Sequence, residues 1–312
     1  MTLNPALLVV LVAAMSSPVQ TAMNTEMEKS LRSATLPTAV SFFVSTILLF
    51  FILLFSGTEF FPSREVHDSI EWFGWLGGLA GVAGVVLLVI AFPHLGSVQT
   101  VLFPMLGIAV ASFLTDTFGW FGYEPAPVSR ETVLGILCVV TGLFVYCRAG
   151  AAESESEGKR HLRAFYMVIG FVAGVAFALQ SAVNGYLSSM LGSAVEASWI
   201  SFLVSDGLLV LLILVIPSFR GNVRRIFVPE QKRPWWVWLA GVCGLVYVLS
   251  ISYFPSRLGV AAVGVGCIFG QLLAGALIDS FGLFNAARKP LCLRQYLALL
   301  VVLGGAVIQN MG

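Results

Sequence analysis

Ten stretches of this chain are long and apolar enough to cross a bilayer, and no other feature constrains its fold as much. A helix needs about 20 apolar residues to span the hydrocarbon core. Such runs lie near 3–24, 38–57, 72–93, 97–118, 132–148, 164–189, 196–217, 235–255, 259–279 and 294–311. Composition agrees: hydrophobic residues make up 58% and charged residues 11% of the 312, and the mean hydropathy is +0.93. A soluble domain carries about 25% charged residues because its surface must face water. The composition therefore excludes a cytosolic enzyme, a nucleic-acid binder, a disordered chain and a disulfide-built secreted scaffold. The expected fold is all-α and polytopic, with the lipid bilayer as its first partner. Five Cys, none in a C-x-x-C pair, read as small apolar packers.

The first run is the least regular, because Ser16-Ser17-Pro18-Val19-Gln20 follows an apolar stretch that ends at Met15. A signal peptide would carry a basic n-region, and the first basic residue is Lys29. The run is therefore read as a span kinked at Pro18. Lys and Arg then divide unevenly: 14 flank the connections after spans 1, 3, 5, 7 and 9, and 3 (Arg64, Arg130, Arg257) lie on the other side. The positive-inside rule puts the 14-residue side in the cytoplasm and both termini outside. Trp72, Trp75, Trp235, Trp236 and Trp238 open spans 3 and 8, as interfacial anchors do.

The chain also reads twice. Pro18, Gln20, Asn24 and Ser41-Phe42 are answered by Ala178, Gln180, Asn184 and Ser201-Phe202 at an offset of 160. Trp72, Trp75, Gly78, Leu95-Gly96, Gly107, Asp116, Phe118-Gly119, Pro127 and Gly142 are answered by Trp235, Trp238, Gly241, Leu258-Gly259, Gly270, Asp279, Phe281-Gly282, Pro290 and Gly305 at an offset of 163. Each copy holds five spans. Five is odd, so the second copy must enter the membrane from the opposite side, the inverted arrangement of many secondary transporters. The expected division is a first five-helix repeat at 1–148, a polar cytoplasmic linker at 149–163 and a second five-helix repeat at 164–312.

The residues that carry the repeat also carry a resemblance. Gln180 with Asn184, Ser201-Phe202, Trp235-Trp236 with Trp238, Gly270-Gln271 and Ile278-Asp279-Ser280-Phe281-Gly282 resemble the YdcZ-type branch of the drug/metabolite transporter superfamily, in a fused two-repeat form. The first copy departs from the pattern, with Ile108 after Gly107 and Thr115 before Asp116. The resemblance spans nearly the whole chain and implies a transporter-like fold of ten helices in a bacterial cytoplasmic membrane. It names no substrate.

Polar side chains at membrane depth are expensive and mark candidate sites. Gln20/Asn24 and Gln180/Asn184 are i,i+4 pairs, so each pair shares a helix face. Two such faces in inverted copies could line a substrate site, with Gln99 and Gln271 as further candidates; the bland alternative is hydrogen bonding between helices. Asp206 lies mid-span where the first copy has Thr46. It reads as a proton-coupling carboxyl, a counter-ion for a cationic substrate, or a buried structural acid. Asp116 and Asp279 end spans 4 and 9, where an acid opposes the helix dipole, so a tertiary role as a gate or ion pair is expected.

Absent motifs narrow the function. His67, His94 and His161 fall in connections, so neither a metal site nor a bound cofactor is expected, and no P-loop is present. The reading is a secondary active exporter of a small organic metabolite or drug-like compound, working by alternating access, with protons as the candidate coupling ion, as a monomer or homodimer. It is not read as an enzyme. The alternatives are a non-transporting membrane scaffold or regulator, and a lipid-modifying membrane enzyme.

Overall fold

The computed structural model describes residues 5–33, 35–150, 157–216, 223–227, 233–286, 288 and 291–309. Among these the regular structure is helical, with no strand. In chain order the helices are α1 (Pro5–Ala14), α2 (Ser16–Leu31), α3 (Leu36–Ser56), α4 (Arg64–Ser69), α5 (Gly77–Phe118), α6 (Arg130–Gly150), α7 (Glu157–Leu191), α8 (Ala194–Val215), α9 (Arg224–Phe227), α10 (Ala240–Tyr253), α11 (Pro255–Leu258), α12 (Val260–Phe281) and α13 (Leu293–Gln309). Six segments among the described residues are long and apolar enough to cross a membrane: Pro5–Leu31, Leu36–Ser56, Ala164–Leu191, Ala194–Val215, Trp235–Leu258 and Val260–Phe281. Shorter apolar helical stretches cover Trp72–Leu88, Phe103–Phe118 and Leu293–Gly305. Of the linker 149–163, residues 151–156 lie outside the described residues, while 149–150 end α6 and 157–163 begin α7.

Two elements differ from the sequence expectation. The first span breaks at Met15, one turn before Pro18 rather than at it. Pro18 has no N–H for the Ala14 carbonyl and its ring crowds that carbonyl, so the helix must open upstream. The Ser16 hydroxyl donates to the Ala13 carbonyl at 2.5 Å across the break. The second difference is α5, which is helical through 94–96, where the sequence pattern places a connection. It cannot be straight. Gly84 packs on Phe177, while Gly107 packs on Phe171 and Val175. A straight helix would separate Gly84 from Gly107 by about 35 Å, and the two sites on α7 by only about 9 Å. The helix therefore doubles back, and its two arms flank α7.

The same close contacts occur in both halves of the sequence. A Cβ on Gly78 would sit 2.2 Å from the Ser201 carbonyl, and one on Gly241 2.7 Å from the Ser41 carbonyl. The Ser205 hydroxyl donates to the Gly78 carbonyl at 3.2 Å, and the Ser45 hydroxyl to the Gly241 carbonyl at 2.7 Å. Gly81 receives the Gln180 amide, and Gly244 the Gln20 amide. Gly107 meets the Phe171 carbonyl, and Gly270 the Leu11 carbonyl. Each pair is one contact made twice, at the sequence offsets of 160 and 163.

Other contacts are reciprocal. Gly142 meets Ala298 and Val302, and Gly305 meets Gly135, Cys138 and Val139. As the chain ascends α6 it descends α13, so the two run antiparallel. Phe42 and Phe202, equivalent residues, stack edge to face with centroids 5.4 Å apart. Equivalent residues touching each other are the signature of a two-fold relation.

Packing divides between two sides. One apolar cluster joins Met105, Ile108, Val139, Leu143, Ile268, Leu272 and Val302, from the second arm of α5 with α6, α12 and α13. The other joins Phe42, Leu49, Val82, Leu187, Phe202 and Val248, from α3, the first arm of α5, α7, α8 and α10. Outward faces are equally apolar: Phe55 is 83% exposed and Leu300 63% exposed. Helices that are apolar on both faces belong in lipid.

Candidate functional site

Between the two clusters four helices leave a small cavity. The second arm of α5 contributes Ile108 and Ser112; α7 contributes Phe177, Ala178 and Ser181. Tyr247 and Ile251 come from α10, and Val260, Gly264 and Cys267 from α12. Its volume is about 10 Å³, room for about one water, too small for an organic compound in this conformation. Its polar groups are hydroxyls and a thiol, and among the described residues no charged side chain lines it. Ser112 donates to the Ile108 carbonyl of its own helix. Ser181 donates across to the Ile251 carbonyl at 3.4 Å, tying α7 to α10. The Gln271 amide donates to the Tyr247 hydroxyl at 3.3 Å and so fixes one wall of the cavity.

Beside the cavity, Asp116 ties the end of α5 to the start of α12. Its carboxylate accepts from the backbone N–H groups of Val260 at 2.8 Å and Ala261 at 2.7 Å. These are the first residues of α12, which starts where Gly259, at φ 85°, breaks the chain after α11. Two unpaired N–H groups and the positive end of the helix dipole make this a good seat for an anion. The acid that opposed its own dipole at the end of α5 thus serves another helix. Beside it, the Tyr123 hydroxyl donates to the Ala182 carbonyl of α7 at 3.0 Å. Burial and the neighbouring Asp116 charge push the Tyr123 phenol well above its ordinary pKa, so it remains a donor. Gly185 touches both Tyr123 and Pro255, closing the gap between α7 and α11.

The other expected residues are placed as follows. Gln20 and Gln180 lie against Gly244 and Gly81 of the opposite half. Asn24 accepts from the Ser41 hydroxyl at 2.6 Å. Asn184, its counterpart, is fully buried against Gly77, and neither its Oδ1 nor its Nδ2 has a partner. None of these four lines the cavity; Gln271 reaches it through Tyr247. The side chain of Gln99 lies outside the described residues. Asp279 ends α12 as Asp116 ends α5. Asp206 Oδ2 is 2.6 Å from the Thr46 hydroxyl, its repeat counterpart. Among the described residues no cluster of His, Cys, Asp and Glu could hold a metal.

Sequence reasoning missed Phe177, Ser112, Ser181 and Tyr123. Isolated Ser and Phe in apolar helices give no signal of their own. Tyr123 lies in a connection, where its partner could not be foreseen.

The family model described as "Putative inner membrane exporter, YdcZ" matches residues 5–145 and matches again over residues 165–308. The chain belongs to this family. It carries the YdcZ module twice, as the repeat requires, and its apolar helices make it an integral inner-membrane protein of a transporter family. The similarity to solved structures adds the fold alone. A crystal structure described only as that of a protein matches 98% of this YdcZ-family chain and 96% of its own, with a TM-score of 0.70 at 16% identity. No curated protein matches the chain.

Proposed function

We propose that this YdcZ-family protein is a secondary active exporter that moves a small organic compound through the closed cavity by alternating access. The observation that carries the reading is the position of the cavity. Its walls come from both copies of the module, at α5 with α7, α10 and α12, where relative rocking of the copies would open it to one side and then the other. In this reading ten spans form two inverted five-helix repeats, joined through 149–163, with both termini outside. Each arm of α5 counts as one span. The antiparallel pairing of α6 with α13 supports the inversion, because a two-fold axis in the membrane plane reverses helix direction.

Within that reading, Ser181, Tyr247 and Phe177 contact substrate, and Gln271 holds Tyr247 in place. Gln180 and Asn184 lie on α7 beside the cavity-lining Ser181 and become accessible when the copies part; Gln20 and Asn24 do so in the first copy. Asp116, with Tyr123, is the gate on one end. Asp206 couples export to protons.

The test is transport by purified protein in liposomes with an imposed pH gradient, over a panel of cationic, zwitterionic and neutral compounds. A compound that accumulates with wild type should lose affinity with Tyr247→Phe and Ser181→Ala while the protein stays folded. Unchanged affinity in both variants would remove the cavity from the mechanism. Transport that ignores the gradient, or is the same in Asp206→Asn, would remove proton coupling. A protein that binds no compound and tolerates every cavity substitution in cells would be a scaffold or regulator instead.

A further inference from the structure

Thr46 and Asp206 sit at equivalent positions of the two copies and touch, next to the Phe42–Phe202 contact between another equivalent pair. The pair therefore lies on the two-fold axis, at the seam where α3 crosses α8. Two neighbours surround the Thr46 hydroxyl: the Phe42 carbonyl one turn back at 3.1 Å and Asp206 Oδ2 at 2.6 Å. A hydroxyl has one proton to give, and a carbonyl can only accept. If Asp206 were a carboxylate, both neighbours would compete for that proton. If Asp206 carries its own proton, it donates to Thr46 and Thr46 donates to Phe42, and each group is satisfied.

The surroundings favour the second arrangement. Helix α8, which carries Asp206, packs against α3, α5, α7, α10 and the Trp72–Leu76 turn. Helix α3 and the turn carry no ionisable residue. Helix α10 offers Cys243, Tyr247 and Tyr253, and α5 offers His94 and Asp116. Helix α7 offers Tyr166, Tyr186 and the charged residues of its first two turns (Glu157, Lys159, Arg160, His161, Arg163), while α8 itself adds Glu196. Asp116 is engaged on α12. Among the described residues, the recorded side-chain partner of Asp206 is Thr46, and no cation pairs with it. A charge without a counter-ion in an apolar seam is costly.

We propose that Asp206 is protonated in this closed conformation and that Thr46 is the positioning residue that reads its proton. In the neutral form the hydrogen-bond chain runs Asp206 to Thr46 to the Phe42 carbonyl. When the proton leaves to water, the Thr46 hydroxyl turns from Phe42 to the carboxylate, and the backbone of α3 loses that bond. Proton release on one copy is thereby felt by the span of the other, at the axis about which the copies would rock. The inference rests on the proton-coupled reading of Asp206 and supplies its local mechanism.

The test is infrared difference spectroscopy of the purified protein in lipid, against Asp206→Asn, at neutral pH. A protonated-carboxyl carbonyl band absent from Asp206→Asn is expected. It should move to higher frequency in Thr46→Val, which keeps the shape but removes the acceptor, and return in Thr46→Ser. A wild-type spectrum with no such band would overturn the proposal, and a band unmoved in Thr46→Val would overturn the role of Thr46. The measurement needs no substrate, so failure to find transport would leave a positive band intact and would count against the export reading alone.

Discussion

The two copies of the module make the same backbone contacts and different chemistry. Gly78 on Ser201 and Gly241 on Ser41, Gly107 on Phe171 and Gly270 on Leu11, and Gly142 and Gly305 across α6 and α13 are one design used twice. The polar residues break that symmetry. Asn24 has Ser41 while Asn184 has no partner. Tyr247 and Gln271 of the second copy stand where the first has Gly84 and Ile108, and Ser112 of the first where the second has Gly275. Thr46 faces Asp206. The lesson is a division of labour. Small residues repeat because close helix approach in lipid depends on them, and they hold any two-fold arrangement together. On the proposed reading, a substrate site and a coupling group need to be built only once and would accumulate where the copies differ.

The largest effect should come from attacking what is shared. Gly78→Leu and Gly241→Leu each drive a side chain into a backbone carbonyl of the facing helix. Overpacking costs about 1–3 kcal/mol even for modest insertions, so both variants should lose folded protein in size-exclusion profiles, and to similar degrees. Gly207 and Gly275 have open space at their Cβ positions, so Gly207→Ala and Gly275→Ala should behave as wild type. A large difference between Gly78→Leu and Gly241→Leu would break the idea of equivalent contacts.

Next comes Asp116. Asp116→Ala removes two charge-assisted bonds to α12, each worth about 1.5–3 kcal/mol at most. Its partial exposure reduces that. A clear drop in Tm is expected, with faster labelling of a cysteine placed at Ser181. An unchanged labelling rate would mean that the carboxylate does not hold the cavity shut.

The asparagines give a sharper contrast at smaller scale. Asn24→Ala should cost about 1 kcal/mol through the lost Ser41 bond. Asn184→Ala removes a buried amide that has no partner and should cost little or even stabilise. Equal losses in thermal unfolding would show that Asn184 is satisfied after all. Tyr123→Phe should cost about 0.5–1.5 kcal/mol for one neutral hydrogen bond, comparable to Asn24→Ala. The loss should be smaller than that of Asp116→Ala, and an effect as large would mean that Tyr123 dominates the closure.

The sequence carried the helical class, the duplication and the family, because each is written in runs or in residues that recur at fixed offsets. Apolar periodicity needs only local chemistry to be read. It also flagged Asp206 and Asp116, since ionisable residues stand out against 11% charge. It could not say what these acids touch. Asp116 reaches Val260 and Ala261, 144 and 145 residues along the chain, and Thr46 lies 160 residues from Asp206. Nor could it separate the amides from the cavity. Gln20 and Gln180 share faces with their asparagines as expected, yet those faces meet glycines of the other half rather than open space. The doubling back of α5 and the break at Met15 were likewise decided in three dimensions. Sequence fixes the pattern along each helix, and a helix face is defined by its own residues alone. What that face meets depends on how two copies cross, which is set by the packing of the whole bundle.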